Sequence, residues 1–189
     1  MKKLYAPIKS YRRQFAFLIL ILLLLIPSGF YLFIQNKWIV EPLPLGSKIP
    51  PAIISTLNGT YKNIDSLITK KTVIVFFSTT CPHCKNELKI LDSLSQLFKN
   101  EFEIIALSLS AQNETINFLN EQKIHFTTYL DKTNDAKLQF RVMPIPALFF
   151  FNQRKQLIKY QAGEQHAKMV YATLIIFASL PNDSFFGAS

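Results

Sequence analysis

The chain holds only two cysteines, and both lie in Thr79-Thr80-Cys81-Pro82-His83-Cys84-Lys85-Asn86-Glu87. Two thiols at this spacing can close a disulfide and reopen it by exchange with another thiol. The reactive form of cysteine is the thiolate. His83, between the pair, adds a positive charge when protonated and so favours that form. Other chemistries compete. A staple closing so small a loop would constrain the unfolded chain little. Covalent haem attachment needs His directly after the second Cys, where Lys85 stands. A metal site would use Cys81, Cys84 and His83 or a distant His, without the second Cys pair of common structural zinc sites.

The flanking residues say how the pair is positioned. Thr72-Val73-Ile74-Val75-Phe76-Phe77 is an apolar, β-branched and aromatic run that predicts a buried strand. Leu88, Leu91, Leu94 and Phe98 recur at three- and four-residue spacing and predict a helix. The helix begins at or just after Cys81, because Pro82 suits its first position, where a missing N–H loses no partner. Cys81 then stands at the positive end of the helix dipole, which favours its thiolate. Cys84 comes one turn later. Cys81 is expected to be the exposed attacking thiol, and Cys84 the one that resolves the mixed disulfide.

Length and charge bound the rest. A chain of 189 residues allows one domain with attachments. Its net charge is +9, of which residues 1–40 carry +6 (Lys2, Lys3, Lys9, Arg12, Arg13, Lys37, no acid), leaving +3 for the remainder. No basic stripe marks the globular part, so nucleic acid is not expected as a partner. Residues 1–14 read as a short basic cytoplasmic segment. Residues 15–34 are almost wholly apolar and uncharged, long enough for a transmembrane anchor. The positive charges keep the N-terminus in the cytoplasm and so place the chain beyond residue 34 outside it. The alternative is a signal peptide ending near Pro27-Ser28-Gly29, but no small-x-small cleavage site comes after it and the apolar run resumes.

Residues 35–50 hold Pro42, Pro44 and Pro50 and read as a semi-rigid linker, with Trp38 at the membrane interface. Residues 51–180 form the folded domain, and 181–189 a tail. Ala52 to Leu57 and Tyr61 to Ile64 read as a hairpin around Asn58-Gly59. Ser66 to Thr69 reads as a helical turn. Further strands are expected at 103–108, 126–130, 147–151 and 157–161. Helices are expected at 113–122 (Ile116 and Leu119 inward), at 134–140 (capped by Asn134 or Thr133) and at 164–180. Alternating strands and helices imply an α/β mixed central sheet covered by helices on both faces.

With these elements in place, the sequence resembles the thioredoxin superfamily, and within it the membrane-anchored TlpA/ResA-like thiol–disulfide oxidoreductases. The resemblance spans about Leu45 to Ala178. It rests on Gly46-Ser47-Lys48-Ile49-Pro50 with the Asn58-Gly59 hairpin, on Cys81-Pro82-His83-Cys84 between strand and helix, on Val142-Met143-Pro144-Ile145-Pro146-Ala147, and on Gly163. The resemblance implies a thioredoxin-like fold and no bound cofactor. It implies a cis bond at Ile145-Pro146 beside Cys81, where the Ile145 backbone pairs with an extended substrate chain. Ordinary prolines entering an edge strand are the plainer alternative. Glu87 matches an acidic position of the subgroup and shares a helix face with Cys84. A buried Glu87 would have a raised pKa and take the Cys84 proton; a solvated one would pair with Lys85 or Lys89. The substrates implied are protein thiols and disulfides, with a membrane redox partner. The subgroup's usual Trp before the first Cys is Thr80 here, and its usual Pro is His83. Pro82-His83 instead resembles the dipeptide of DsbA-type oxidants. The expected direction is reducing, with a DsbA-like oxidase or a metal-binding thioredoxin-fold module as alternatives. A peroxiredoxin is disfavoured, because Pro-x-x-x-Thr-x-x-Cys is missing.

Overall fold

The computed structural model describes residues 8–38, 41–163 and 165–181, and the chain divides into two compact units, Met1–Val40 and Glu41–Ser189. The first unit is one helix, α1 (Ile8–Trp38), which continues past Pro27. Residues 35–38, expected in the linker, are therefore helical. The uninterrupted run of described α1 side chains, 14–29, is exposed throughout. Among the described residues no helix is long and apolar enough to cross a membrane. The side chain of Trp38 and the tail 182–189 lie outside the described residues.

The second unit is built on seven strands: β1 (Ile53–Thr56), β2 (Tyr61–Asn63), β3 (Thr72–Phe77), β4 (Glu103–Ser108), β5 (Thr127–Leu130), β6 (Ala147–Phe151) and β7 (Leu157–Ala162). Their order is β2-β1-β5-β4-β3-β6-β7. β3, β4 and β5 run parallel, and the other pairings are antiparallel. The fold is a mixed α/β thioredoxin-like one, with helices on both sheet faces.

β3 is buried along its whole length, as a central strand between two covered faces must be. Its period of two divides the core. Val73, Val75 and Phe77 meet Leu88, Leu91 and Leu94 of α2 (Pro82–Leu97), Phe118 of α3 (Gln112–Gln122), and Leu174 and Phe177 of α5 (Ala167–Ser179). Ile74 and Phe76 meet Ala136 of α4 (Asp135–Gln139), Phe140, and Ile64 of the single 3₁₀ turn Ile64–Leu67. Phe76, Phe140 and Phe149 pack tilted or edge-on at 5.2–5.7 Å between ring centroids. Burying each such ring contributes roughly 1.5–3 kcal/mol.

Several expected details are corrected. The short turn starts at Ile64 rather than Ser66, because Asn63 Oδ1 accepts the Asp65 N–H at 3.1 Å and closes it earlier. In α3, Thr115 and Phe118 are buried with Leu119, while Ile116 is only half-buried. The helix face is set by the sheet beneath it, not by the apolar residues alone. Neither Asn134 nor Thr133 caps α4 through its side chain. Asp131 does so, its carboxylate accepting the Ala136 and Lys137 N–H groups at 3.2 and 2.7 Å. α5 begins at Ala167, after an N-cap at His166. Its far end is tied down by Lys71, 4 % exposed. All three Lys71 Nζ protons are used: they donate to the carbonyls of Phe177, Ala178 and Leu180 at 2.9–3.0 Å. Desolvation lowers the Lys71 pKa, and the nearby Glu101 charge opposes that shift.

Candidate active site

β3 delivers the chain to the sheet edge at Phe77, and α2 begins five residues later at Pro82. Residues 78–81 make the turn between them. The Cys81 N–H donates to Ser78 O at 3.2 Å, and Cys81 O accepts the Lys85 N–H at 3.3 Å. Cys81 is the N-cap of α2, with Pro82 at the first helical position. Its Sγ stands where a capping oxygen usually stands, accepting the Cys84 N–H at 3.2 Å. A thiolate there gains a hydrogen bond and the favourable end of the helix dipole.

Cys81 and Cys84 are joined as a disulfide, Cα atoms 5.3 Å apart. Cys81 is half-buried and Cys84 fully buried, while Pro82 and His83 are exposed. Ile145–Pro146 is a cis peptide bond. It lies beside the disulfide, with Ile145 O 3.9 Å from Cys81 Sγ. The disulfide sulfur has no proton to donate, so this is a contact rather than a hydrogen bond. Pro146 is buried and Ile145 half-buried. Pro146 O accepts the Gly163 N–H at 2.8 Å. Gly163 has φ 76°, a left-handed conformation in which a Cβ is strained. This glycine thus lets β7 end against the proline loop and hold it in place.

Glu87 is 3 % exposed, which removes the reading of it as a solvated carboxylate paired with Lys85 or Lys89. It lines a cavity of about 370 Å³ with His83, Asn86, Ile90, Gln165 and His166. The cavity brings the start of α2 and the start of α5 together. Glu87 shares the helix surface of Cys84, so the buried sulfur and the buried carboxylate are neighbours on one face. Among the described residues, no three His, Cys, Asp or Glu side chains are arranged to hold a metal ion.

Sequence reading missed two groups. One is His166, which reaches this cavity from a distant helix start. The other is a cluster of hydroxyls behind Cys81. Ser110 Oγ lies 3.1 Å from Ser78 Oγ and accepts from Thr79 N and Thr79 Oγ1, each at 3.0 Å. Ser78 Oγ is 3.0 Å from Thr80 Oγ1. The signal was present, since Ser78-Thr79-Thr80 and Ser108-Leu109-Ser110 both come after apolar strand runs. Seeing it required the parallel register that sets Phe77 opposite Ser108.

The chain is similar to known proteins. The AhpC/TSA family matches residues 45–160. The chain is 25 % identical over 157 residues to the thiol-disulfide oxidoreductase ResA of Bacillus thuringiensis subsp. konkukian, covering 82 % of this chain and 91 % of that protein. It is 24 % identical over 165 residues to the ResA of Bacillus subtilis, covering 86 % and 92 %. The solution structure of a thiol:disulfide interchange protein from Bacteroides sp. superposes with TM-score 0.64 at 18 % identity, covering 75 % of this chain and 94 % of that one; at such identity the likeness speaks for the fold. A family match over most of the folded unit, coinciding with a cysteine pair at a helix start beside a cis-proline, leads to one conclusion: the chain belongs to the AhpC/TSA family of thioredoxin-fold proteins.

Proposed function

We propose that this thiol–disulfide oxidoreductase reduces protein disulfides through Cys81 while tethered to the outer side of the cytoplasmic membrane. The observation that supports the reading most is the approach of Cys81 Sγ to Ile145 O beside the cis-proline, 3.9 Å apart. An extended substrate chain pairing with the Ile145 backbone would bring its disulfide to the one half-buried sulfur of the site. Reduced Cys81, as thiolate, attacks one substrate sulfur. The substrate S–S bond breaks, a Cys81–substrate disulfide forms, and the second substrate sulfur leaves as a thiolate. Cys84 then attacks Cys81 Sγ, its proton passing to Glu87. The substrate leaves fully reduced and the Cys81–Cys84 disulfide is formed. Two electrons have moved from the protein to the substrate, and a membrane redox partner resupplies them. Pro82 and His83 tune the Cys81 thiol. Tethering is supported by the basic residues 1–14 followed by the twenty uncharged residues 15–34.

The second reading, oxidation of substrates, draws on His83, which stands exposed beside Cys81 in place of a proline. A protonated imidazole there stabilises the reduced thiolate and makes the disulfide more oxidising. One experiment tests both readings. The Cys84→Ser chain, expressed in its membrane, should accumulate mixed disulfides through Cys81 that external protease can reach in spheroplasts. The reduction potential of the unsubstituted pair should lie near thioredoxin's, about −270 mV, rather than near DsbA's, about −120 mV. Mixed disulfides that form only in the Cys81→Ser chain would overturn the role of Cys81. Complete protection from protease would overturn the placement, and a potential near the oxidant's would reverse the direction.

A further inference from the structure

The hydroxyls behind Cys81 form a chain whose direction is fixed by counting donors and acceptors. A hydroxyl has one proton and two lone pairs. Ser110 Oγ accepts from the Thr79 N–H and the Thr79 O–H, so both its lone pairs are taken. Its own proton is left for Ser78 Oγ, 3.1 Å away. Ser78 in turn has its proton for Thr80 Oγ1, 3.0 Å away. The order is Thr79 to Ser110 to Ser78 to Thr80. Each link is polarised by the one before it. The chain ends on the residue that directly precedes Cys81.

Ser110 is the only member of this chain that does not belong to the turn. It stands just beyond β4, where the Ser110 N–H donates to Ser108 Oγ at 3.2 Å. Ser108 Oγ lies 2.7 Å from Thr115 Oγ1 of α3, both residues buried. The anchor therefore reaches from the turn into the core. An aromatic residue before the first cysteine could hold the turn by packing; Thr80 is exposed and has no ring to pack.

We propose that Ser110 is a positioning residue for thiol–disulfide exchange: its hydroxyl fixes residues 78–80 and so sets where Cys81 Sγ stands over the Cys84 N–H. The proposal rests on Cys81 being the attacking thiol. Without the Ser110 hydroxyl, Thr79 loses the acceptor of its N–H and O–H, and Ser78 loses a partner. The turn then samples positions in which Sγ no longer meets the Cys84 N–H well, and the thiolate is less favoured. The titratable groups around the site, His83 and Glu87 on α2 and His166 at the start of α5, are unchanged by the substitution.

The test uses the full chain, reduced, in detergent micelles, with iodoacetamide alkylation followed across pH and the labelled cysteine identified by mass spectrometry. Ser110→Ala should move the midpoint of Cys81 alkylation to higher pH and slow reduction of a model disulfide about five- to tenfold, as loss of one to two hydrogen bonds implies. Ser110→Thr, which keeps the hydroxyl, should restore both. Thr79→Val, which removes one donor and keeps the shape, should give a smaller shift in the same direction. An unchanged midpoint in Ser110→Ala, even with lowered thermal stability, overturns the proposal, as does a shift that Ser110→Thr fails to restore. Labelling of Cys84 first in the unsubstituted chain would instead overturn the assignment of Cys81, and the positioning role with it.

Discussion

Among the described residues, three carboxylates of the folded unit are almost wholly buried, and they are buried in different ways. Asp131, 3 % exposed, gives its oxygens to two N–H groups at the start of α4. Asp92, 7 % exposed and on α2, accepts the His125 N–H at 2.6 Å and lies 2.9 Å from His125 Nδ1. Both join one segment to another. Glu87 lies five residues before Asp92 on the same helix but opens on the 370 Å³ cavity beside Cys84. A buried carboxylate that holds backbone N–H groups is spent on architecture, because losing it strands the donors. In the mechanism proposed above, Glu87, which faces that cavity, is the carboxylate that takes the Cys84 proton. On that proposal, neighbouring stretches of α2 divide between chemistry and fold.

Glu87→Gln is the largest test of that separation. It should slow the step in which Cys84 attacks Cys81, by roughly 10²–10⁴-fold if proton transfer is assisted. The fold should persist, since the amide is isosteric with the carboxylate. Stopped-flow measurement of mixed-disulfide resolution, alongside thermal unfolding, reads both. A chain that unfolds earlier and exchanges at the normal rate would move Glu87 into the company of Asp92.

Asp92→Ala should do the reverse. Removing the carboxylate strands the His125 N–H and frees the junction between α2 and the segment entering β5. A loss of about 1.5–3 kcal/mol is expected, the range for hydrogen bonds to a charged group. Urea unfolding of the full chain in micelles measures it. Exchange rates well below the unfolding midpoint should be unchanged, and a slowed rate there would blur the division of α2.

What was legible in the sequence divides along the same line. The cysteine pair, the strand before it and Pro82 at the first turn are local patterns, readable because each rests on neighbours in the chain; the Ile145–Pro146 step was legible only through the family resemblance. The sheet strands were legible for the same reason: six-residue runs such as Thr72–Phe77 have few other uses. Asp131 as the cap of α4, Lys71 at the end of α5 and Ser110 behind Cys81 were not legible. Each acts over a distance set by strand register, and Lys71 reaches residues more than 100 positions away. The burial of Glu87 fell between, since its face was readable but the cavity required α5 in place.

The smallest effect expected is a pH dependence at Asp131. Desolvation pushes its carboxyl up, and the N–H groups of Lys137 and Ala136 pull it part of the way back. The nearby charge of Asp135 adds to the rise. A folded-state value above the unfolded one means the folded chain holds this proton more tightly. The stabilisation from that proton is complete below the ordinary carboxylate value, about 3.9. It is lost as pH rises through the folded-state value, because the unfolded chain gives up the proton first. Asp131→Asn removes the titration. It also imposes a constant cost, since the amide NH₂ faces an N–H that the carboxylate accepted. The stability difference between the two chains should therefore change with pH in the acid range and level off toward neutrality. The fall with rising pH should belong to the unsubstituted chain. Urea midpoints from about pH 3 to about pH 8 give that difference directly. A difference that instead favours the unsubstituted chain more as pH rises would mean that the two N–H bonds outweigh desolvation. Asp131 would then be an ordinary charged cap, and the contrast with Glu87 would be sharper still.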